Sequence, residues 1–397
     1  MRLGRLALVL WSTTLVQTTP LGNPPKIDGE HNLTSRDLPT GTVRWTLHKT
    51  CYQQGLAEGG DELRDAVIKS VNAAKDRSKL AVDTLNVWRD KCHSVFGNDR
   101  LKPEEQRVKK ACQLLLGDSK YTLLGKTAWK DKIDIVKVWL EAASKIDGPK
   151  GQTNNEFENS KEWQDLAAQD DHWLNFIIYC APDLGERNHP SRPGQKLPYD
   201  NGQLRLIREP DLSALVKMNK EYEAKAFEDS EGKFTAAITE LSKATGDDET
   251  ENSGTHIPKG DRKKIPCSIT IHPHMLRQTR DREFNIKGED DIKAAIKMDK
   301  PKKEDKFTPI DKVVGLTETI HHEFFHTPGL GRMTDGPLGP GLGNSEAYDW
   351  KNIVKNKDPT MPEYFMFLAL LVDLTNKDIV VNEDGSLMDK SAPASAS

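Results

Sequence analysis

The sequence predicts an α+β fold that is predominantly helical and contains a small sheet. Helical periodicity of apolar residues begins after Gly60 and recurs around 103–116 and 127–146. Two short runs rich in aromatic and β-branched residues, at 171–182 and 267–275, are typical of strands. Long helices combined with a few short strands place the chain in the α+β class.

The first long helix is predicted from apolar side chains that recur at steps of three and four residues, as on one face of an α-helix. These side chains are Leu63, Val67, Val71, Ala74, Leu80, Val82, Leu85 and Val87. The N-terminal half of the domain is therefore expected to be mostly helical.

Three more helices are predicted toward the C-terminus. The segment "DKVVGLTETIHHEFFHTP" predicts a helix that ends at Pro328 and Gly329. A winding glycine-rich loop follows, and the next helix is expected from about Asn344, with Asn344 or Ser345 as its N-cap. The apolar segment "PEYFMFLALLVDL" predicts the last helix.

Length and charge exclude some classes of partner. The 397 residues allow a large core, and 57 basic and 61 acidic residues, mixed along the chain, give a net charge of −4. This balance indicates neither a nucleic-acid nor an anionic-lipid partner. No stretch after the N-terminus approaches the ~20 apolar residues of a membrane span. We expect a monomer that binds neither nucleic acid nor a membrane.

The N-terminus predicts export. Arg2 and Arg5 precede the apolar stretch 6–11, and small and polar residues follow, which is the layout of a signal peptide over 1–19. An amphipathic N-terminal helix is the alternative interpretation. Residues 20–45 are predicted to form an extended leader or propeptide, and Asn32 opens a glycosylation sequon within it. The protein is therefore expected to be a secreted, extracellular glycoprotein.

The main domain is predicted to span 46–380. It contains charged insertions near 225–264 and 297–306, of which the first is too polar to bury and is predicted to be a mobile loop. The tail 381–397 is predicted to be disordered.

Five cysteines allow two disulfides and one free thiol in an oxidising compartment. They lie at positions 51, 92, 112, 180 and 267. Their spacing does not fix the pairing, and no two of them have the close CxxC spacing of a structural zinc site.

The motif HEFFH, His322 to His326, carries the main functional signal. Residues four apart project from one helical face, so both imidazoles can reach one ion, while Glu323 is offset to meet a metal-bound water. A surface helix that carries these residues by coincidence is the alternative. The apolar neighbours Ile320 and Phe324 favour a catalytic motif, because a solvated face would be polar.

A catalytic zinc needs a third protein ligand. Gly329 lies where the metzincin pattern has its glycine, but the next ligand position is Arg332, a permanent cation that cannot bind a metal. Asp335 lies in the loop, and Glu346 and Asp349 follow it. Glu346 is expected on a rigid helix that faces back toward the histidines, so it is favoured over Asp335 and Asp349.

Three segments of the chain resemble the deuterolysin-like (aspzincin) zinc metallopeptidases: "HEFFH", "SEAYDWKNIVKNKDPTMPEYFMFLALL" and "NVWRDKCHSVFGN". The chain looks like a divergent, secreted, fungal-type member of this family. Tyr348, Trp350 and the run 363–371 match the family in order and spacing. The resemblance implies a zincin-like metallopeptidase fold and a zinc ion (Zn2+). The family's usual aspartate ligand falls at Ser345, one residue before Glu346, and a glutamate ligand at this distance also resembles the gluzincins.

The resemblance and the motif together imply a zinc-dependent endopeptidase that hydrolyses peptide bonds through a metal-bound water. His322, His326 and Glu346 are the predicted ligands, and Glu323 is the predicted general base and acid. Tyr348 either donates to the developing oxyanion or packs against its neighbours. A catalytically inactive, secreted metallopeptidase-like binding or effector protein is the alternative function.

Three nearby groups are expected to play other roles. His321 points about 100° away from the motif's ligand face and is not a predicted ligand. Asp349 either orients a ligand histidine or is a solvated charge. The "HPH" at 272–274 has two histidines on one strand face, which are expected to be structural, because no glutamate accompanies them.

Overall fold

A computed structural model of the chain describes residues 12–13, 42–52, 60–91, 101–117, 123–148, 174–188, 193–200, 205–207, 211, 213–224, 233–234, 236–240, 255–256, 266–283, 288–302, 305, 307–333 and 349–390. The α-helices of these residues are α1 (Asp61–Lys91), α2 (Pro103–Leu116), α3 (Leu123–Ser144), α4 (Ala214–Glu223), α5 (Pro273–Asp281), α6 (Glu289–Ile296), α7 (Leu316–His326), α8 (Trp350–Asn356) and α9 (Pro362–Asn376). The strands are β1 (Ser12–Thr13), β2 (Trp45–Leu47), β3 (Phe176–Tyr179), β4 (Gly185–Asn188), β5 (Lys196–Asp200), β6 (Arg205–Ile207), β7 (Lys233–Phe234), β8 (Ala237–Glu240), β9 (Thr255–His256), β10 (Cys267–Ile271), β11 (Ile379–Val381) and β12 (Leu387–Asp389). The fold is mixed, with long helices and small sheets.

The main sheet has four strands in the order β2-β3-β10-β8. The first three are parallel, and Phe176 on β3 is paired with both Trp45 and Cys267. Strand β8 is antiparallel to β10, with Thr239 opposite Ile269. Strands β3 and β10 are buried, as expected for the inner strands of a sheet that helices cover.

Within the described residues, three further sheets lie outside the main sheet. A second antiparallel sheet has the order β4-β5-β6-β9, and β11 pairs with β12 as a hairpin. Strand β1 pairs with β7. Because β1 falls inside the predicted signal peptide, this last pairing would be lost on cleavage.

Helices α1, α7 and α9 pack against one another and form the core beside the main sheet. Every residue of α7 is buried. Helix α9 is apolar almost throughout and is buried over nearly its whole length, as a central helix must be. The ring of Phe325 on α7 stacks on that of Phe365 on α9, with centroids 4.7 Å apart. This packing fixes α7, which carries the histidine motif, between α9 and the sheet.

The N-terminal boundary differs from the prediction. Trp45 begins β2, and both Val43 and Trp45 are buried in the core. The predicted domain start at 46 is therefore too late by at least three residues, because both side chains belong to the hydrophobic core of the domain. Residues 1–11 and 14–41, including Asn32, lie outside the described residues.

The prediction of a mobile loop at 225–264 is wrong for part of this tract. It contains β7, β8 and β9, and β8 is a buried strand of the main sheet. The hydrogen bonds and apolar contacts of β8 outweigh the polarity of its surroundings. The second charged tract follows α6, and its residues 297–300 are exposed.

The prediction of a disordered tail from 381 is wrong for residues 381–390. Strand β12 pairs with β11 across a turn in which Gly385 has φ +82°. This left-handed conformation suits glycine, and a Cβ there would lie 2.2 Å from Thr308 Oγ1. The side chain of Leu387 belongs to the core, which anchors the hairpin.

Cys51 and Cys180 form a disulfide that joins residues 129 positions apart. Cys112 and Cys267 are buried free thiols, and Cys92 lies outside the described residues. Burial raises the pKa of both thiols, that of Cys267 to about 12. The four cysteines of the described residues therefore form one disulfide and leave two thiols free. Within the part of the chain described, no helix is both long and apolar enough to cross a membrane.

Candidate metal centre

The local sequence fixes both ends of α7. At its start, the Glu318 carboxylate accepts a hydrogen bond from the backbone N–H of Gly315 at 2.8 Å, which satisfies a free helix donor. At its end, Pro328 follows Thr327, the C-cap. Gly329 lies so close to the segment before β2 that a Cβ would be 2.5 Å from Val43 Cγ2. The absence of a side chain at Gly329 therefore lets the turn after α7 pack against Val43.

His322 and His326 point toward the same place, as their spacing predicts. Their Nε2 atoms lie 2.8 Å apart, and their ring planes are inclined by 71°. Both side chains are buried, with residue exposures of 7% and 6%. His326 is the last residue of α7, so the pair lies at the helix C-terminus.

The opposite nitrogen of each ring has an oxygen partner. Nδ1 of His322 lies 2.7 Å from Oε1 of Glu363 on α9, and Nδ1 of His326 lies 2.8 Å from the carbonyl oxygen of Met333. A carboxylate and a carbonyl only accept hydrogen bonds, so each ring donates its proton from Nδ1. Each Nε2 then carries a lone pair directed at the other. A shared cation removes the repulsion between these lone pairs, so the two rings suit a metal ion.

Glu323 lies beside the two histidines and is almost fully buried, with 2% exposure. Its Oε1 is 3.9 Å from Nε2 of His322. Its Oε2 accepts a hydrogen bond from the hydroxyl of Thr239 on β8 at 2.5 Å. The potential ligand atoms of Glu323 and the two histidines all lie within 4.8 Å of one another, so this group could hold a metal ion.

The predicted third ligand lies outside the described residues, as do Asp335 and Tyr348. The helix predicted from Asn344 begins instead at Trp350, so Glu346 precedes this helix. The N-cap is Asp349, and neither Asn344 nor Ser345. A later start is favoured because the Asp349 carboxylate satisfies the helix donor.

Asp349 is not a solvated charge. Its Oδ1 accepts from the backbone N–H of Asn352 at 2.9 Å, and its Oδ2 accepts from the side-chain amide of the same residue at 3.0 Å. It is buried, with 7% exposure. These contacts assign Asp349 to the N-terminus of α8.

His321 does not face the histidine pair. Its Nε2 lies 2.7 Å from Ser78 Oγ on α1, on another side of α7. Burial, with the charges of Arg77 and His322, lowers its pKa to about 3. His321 therefore has a structural role, as the helical geometry predicts.

The histidines of the HPH segment also have a structural role, but not on a strand. Strand β10 ends at Ile271, and Pro273 is the first residue of α5. Nδ1 of His272 accepts from the backbone N–H of His274 at 3.0 Å and so caps this helix. The predicted strand to residue 275 is wrong because Pro273 favours a helix start.

Three groups at the site were not predicted from the sequence. Glu363 has a visible signal, since it is an acidic residue in the first turn of an otherwise apolar helix. Thr239 has no distinctive signal, because it lies in a short strand within a charged tract. The Met333 carbonyl contacts His326 through the turn after α7, which only the folded chain defines.

Comparisons with known proteins give no match for this chain among family models, curated proteins or solved structures. The assignment of a function therefore depends on the geometry of this site and on the sequence.

Proposed function

We propose that the protein is a secreted, zinc-dependent endopeptidase. The observation that carries this proposal is the pair of Nε2 atoms, 2.8 Å apart, on His322 and His326, whose Nδ1 atoms each face an oxygen. A pair of imidazoles held in this tautomer by acceptors is the common arrangement of zinc-binding histidines. Glu323 beside them supplies the carboxylate that peptide hydrolysis requires.

His322 and His326 would hold the metal ion through Nε2. Glu346 is the proposed third ligand, because a glutamate at this distance along the chain from the histidine motif resembles the third ligand of the gluzincins. Two imidazoles and one carboxylate favour zinc over calcium or magnesium, which prefer oxygen ligands alone. When bound, zinc polarises the peptide carbonyl and lowers the pKa of a bound water toward ~7.

Three residues of the chain would have the remaining roles in the proposed reaction. Glu323 accepts the proton of the attacking water on the carboxylate oxygen that faces the histidines and then delivers it to the leaving amine. Glu363 accepts the Nδ1 proton of His322 and keeps that ring in its metal-binding tautomer. Tyr348 is the proposed donor to the developing oxyanion, as expected from the resemblance.

The resemblance to the deuterolysin-like, zincin-like metallopeptidases supports the reaction class. The predicted signal peptide and the disulfide between Cys51 and Cys180 support export, since disulfides persist in oxidising compartments. The proposed substrate is a polypeptide.

The test compares wild-type protein with Glu323→Gln. Zinc is measured in each by atomic absorption after dialysis, and hydrolysis is measured on denatured casein and on a mixed peptide library. We expect both proteins to hold zinc, and we expect the variant to be at least about 100-fold slower, because it lacks the proton acceptor. Glu62→Gln, an exposed change on α1, is the matched control and should behave as wild type.

Equal rates for wild type and Glu323→Gln would contradict the proposed chemistry. A folded wild type that holds zinc but cleaves no peptide would instead favour the alternative, a catalytically inactive binding or effector protein.

A further inference from the structure

The carboxylate of Glu323 is held at one oxygen by a residue from another element. The Thr239 hydroxyl donates to Oε2 at 2.5 Å, whereas the backbone carbonyl oxygen of Glu323 is 3.4 Å from the same hydroxyl. A hydroxyl has one proton to donate, so it forms its hydrogen bond with the nearer acceptor, Oε2 of the carboxylate. The other oxygen, Oε1, remains directed toward His322, 3.9 Å from Nε2.

The strand that carries Thr239 is fixed from its other face. Side chains alternate along a strand, so Ile238 and Glu240 point away from α7. Ile238 packs with Leu215 and Met218 of α4. Glu240 forms a 2.6 Å ion pair with the buried guanidinium of Arg205 on β6. The hydroxyl of Thr239 is therefore presented to Glu323 by a strand with little freedom to shift.

We infer that Thr239 is a positioning residue for Glu323, a role that rests on the proposed function. A glutamate carboxylate rotates easily about its last torsion, which has broad preferences. A hydrogen bond to one oxygen removes that rotation and leaves the other oxygen aimed at the histidine pair, where it must take a proton. Thr239 acts through Glu323 and does not itself touch the substrate.

A purely structural role is the competing explanation, in which the hydrogen bond only attaches β8 to α7. The two roles differ in what the loss of the hydroxyl changes. A structural loss lowers stability, while a positioning loss lowers kcat and leaves KM and zinc content unchanged.

The experiment uses the zinc-loaded full chain with Thr239→Val, which keeps the β-branched shape and removes the donor. Thr239→Ser restores the hydroxyl. The matched control is Thr270→Val on the adjacent strand β10, because Thr270 is fully buried and its hydroxyl has no hydrogen-bond partner among the described residues. We expect Thr239→Val to lower kcat by about ten-fold or more with KM within about two-fold, and Thr239→Ser to restore kcat to within about three-fold.

A second readout needs neither zinc nor activity. In metal-free protein, thermal unfolding of Thr239→Val, Glu323→Met and the double variant forms a double-mutant cycle. We expect the melting temperature of the double variant to lie above the value predicted from the sum of the single shifts. The same cycle with Thr270→Val should be additive.

If the wild type is active, three outcomes would overturn the positioning role of Thr239 and leave the proposed function intact. These are an equal kcat in Thr239→Val and Thr270→Val, a fall in kcat that follows a loss of zinc, and additive shifts in melting temperature for Thr239→Val and Glu323→Met. A wild type that binds zinc and cleaves no peptide is a different result. It would overturn the proposed function and with it the positioning role, even if the cycle is non-additive.

Discussion

Nδ1 of His322 lies 2.7 Å from Oε1 of Glu363, and both side chains are buried. Glu363 lies in the first turn of α9, where the positive end of the helix dipole stabilises a carboxylate. This contact links the helix that carries the motif to the central apolar helix. It also explains how the carboxylate of Glu363 is tolerated in the core, because a buried charge needs a hydrogen-bonding partner.

Replacing Glu363 should weaken metal binding without removing a metal ligand. In Glu363→Gln the amide keeps the shape but loses the charge that raises the basicity of His322, so the zinc dissociation constant should rise about 10- to 100-fold. Zinc affinity is measured by competition with a chromophoric chelator. Asp373→Asn, on the same helix, is the control and should leave zinc affinity unchanged, because Asp373 contacts Arg77 and Lys377. Equal affinities in the two variants would contradict this role for Glu363.

Arg77 on α1 links three core helices through two carboxylates. It is paired with Glu318 on α7 and with Asp373 on α9, the latter at 3.1 Å. All three side chains are at most 15% exposed. Arg77→Met leaves both carboxylates without this partner, so the free energy of unfolding should fall by about 3 kcal/mol, as for other broken buried ion pairs. Urea denaturation measures the change.

The matched control for this prediction is a surface ion pair. Arg107 lies 3.0 Å from Asp378, and both side chains are more than a third exposed. Water screens such a pair, so Arg107→Met should change the stability by less than about 1 kcal/mol. Similar losses in the two variants would mean that the Arg77 contacts are not buried in solution.

His272 should make the protein less stable in acid. Burial, with the charges of His274 and Arg277, lowers its pKa from 6.5 to about 3. The unfolded chain therefore binds the proton first, and stability is full above pH 6.5 and falls as the pH drops toward 3. His272→Asn retains a helix cap and removes the titrating group. As the pH drops from 6 to 4, the free energy of unfolding of the variant should therefore fall by about 1.4 kcal/mol less per pH unit than that of wild type.

This prediction is read from the difference between the two proteins, because other groups titrate in the same range. Burial raises the pKa of Asp311 to about 6, which gives a trend of the opposite sign in both. Urea unfolding at pH 4, 5, 6 and 7 supplies the slopes. Parallel slopes for wild type and His272→Asn would show that His272 is accessible to protons in the folded state.

The cysteines should differ in reactivity. Peptide mapping without reductant should find Cys51 linked to Cys180, and iodoacetamide should label Cys112 and Cys267 only after unfolding, because both thiols are buried. Replacing Cys51 and Cys180 together with alanine should lower the free energy of unfolding by about 2–5 kcal/mol. Labelling of Cys267 in the native protein would contradict the burial of β10.

The sequence predicted the long helices and the histidine pair well. Helix α2 spans 103–116 as expected, and α7 ends before Pro328, because apolar periodicity and a proline are local signals. His322 and His326 share a face because a helix has 3.6 residues per turn. These features depend on residues that are close in the sequence.

Features that depend on distant contacts were not predictable. Strand β8 has four residues inside a charged tract, and only its pairing with β10 makes it a strand. The contact between Glu363 and His322 requires α7 and α9 to be packed together. The hairpin at 379–389 did carry a local signal, since the dipeptide of Asp384 and Gly385 is typical of a tight turn.

The most direct test of the metal centre is X-ray absorption at the zinc edge on wild-type protein purified with one equivalent of zinc. We predict two imidazole nitrogens at about 2.0–2.1 Å together with oxygen ligands, and a weaker imidazole signal in His322→Ala and in His326→Ala. A spectrum with oxygen ligands alone, or one unchanged by both substitutions, would contradict the assignment of this site to His322 and His326.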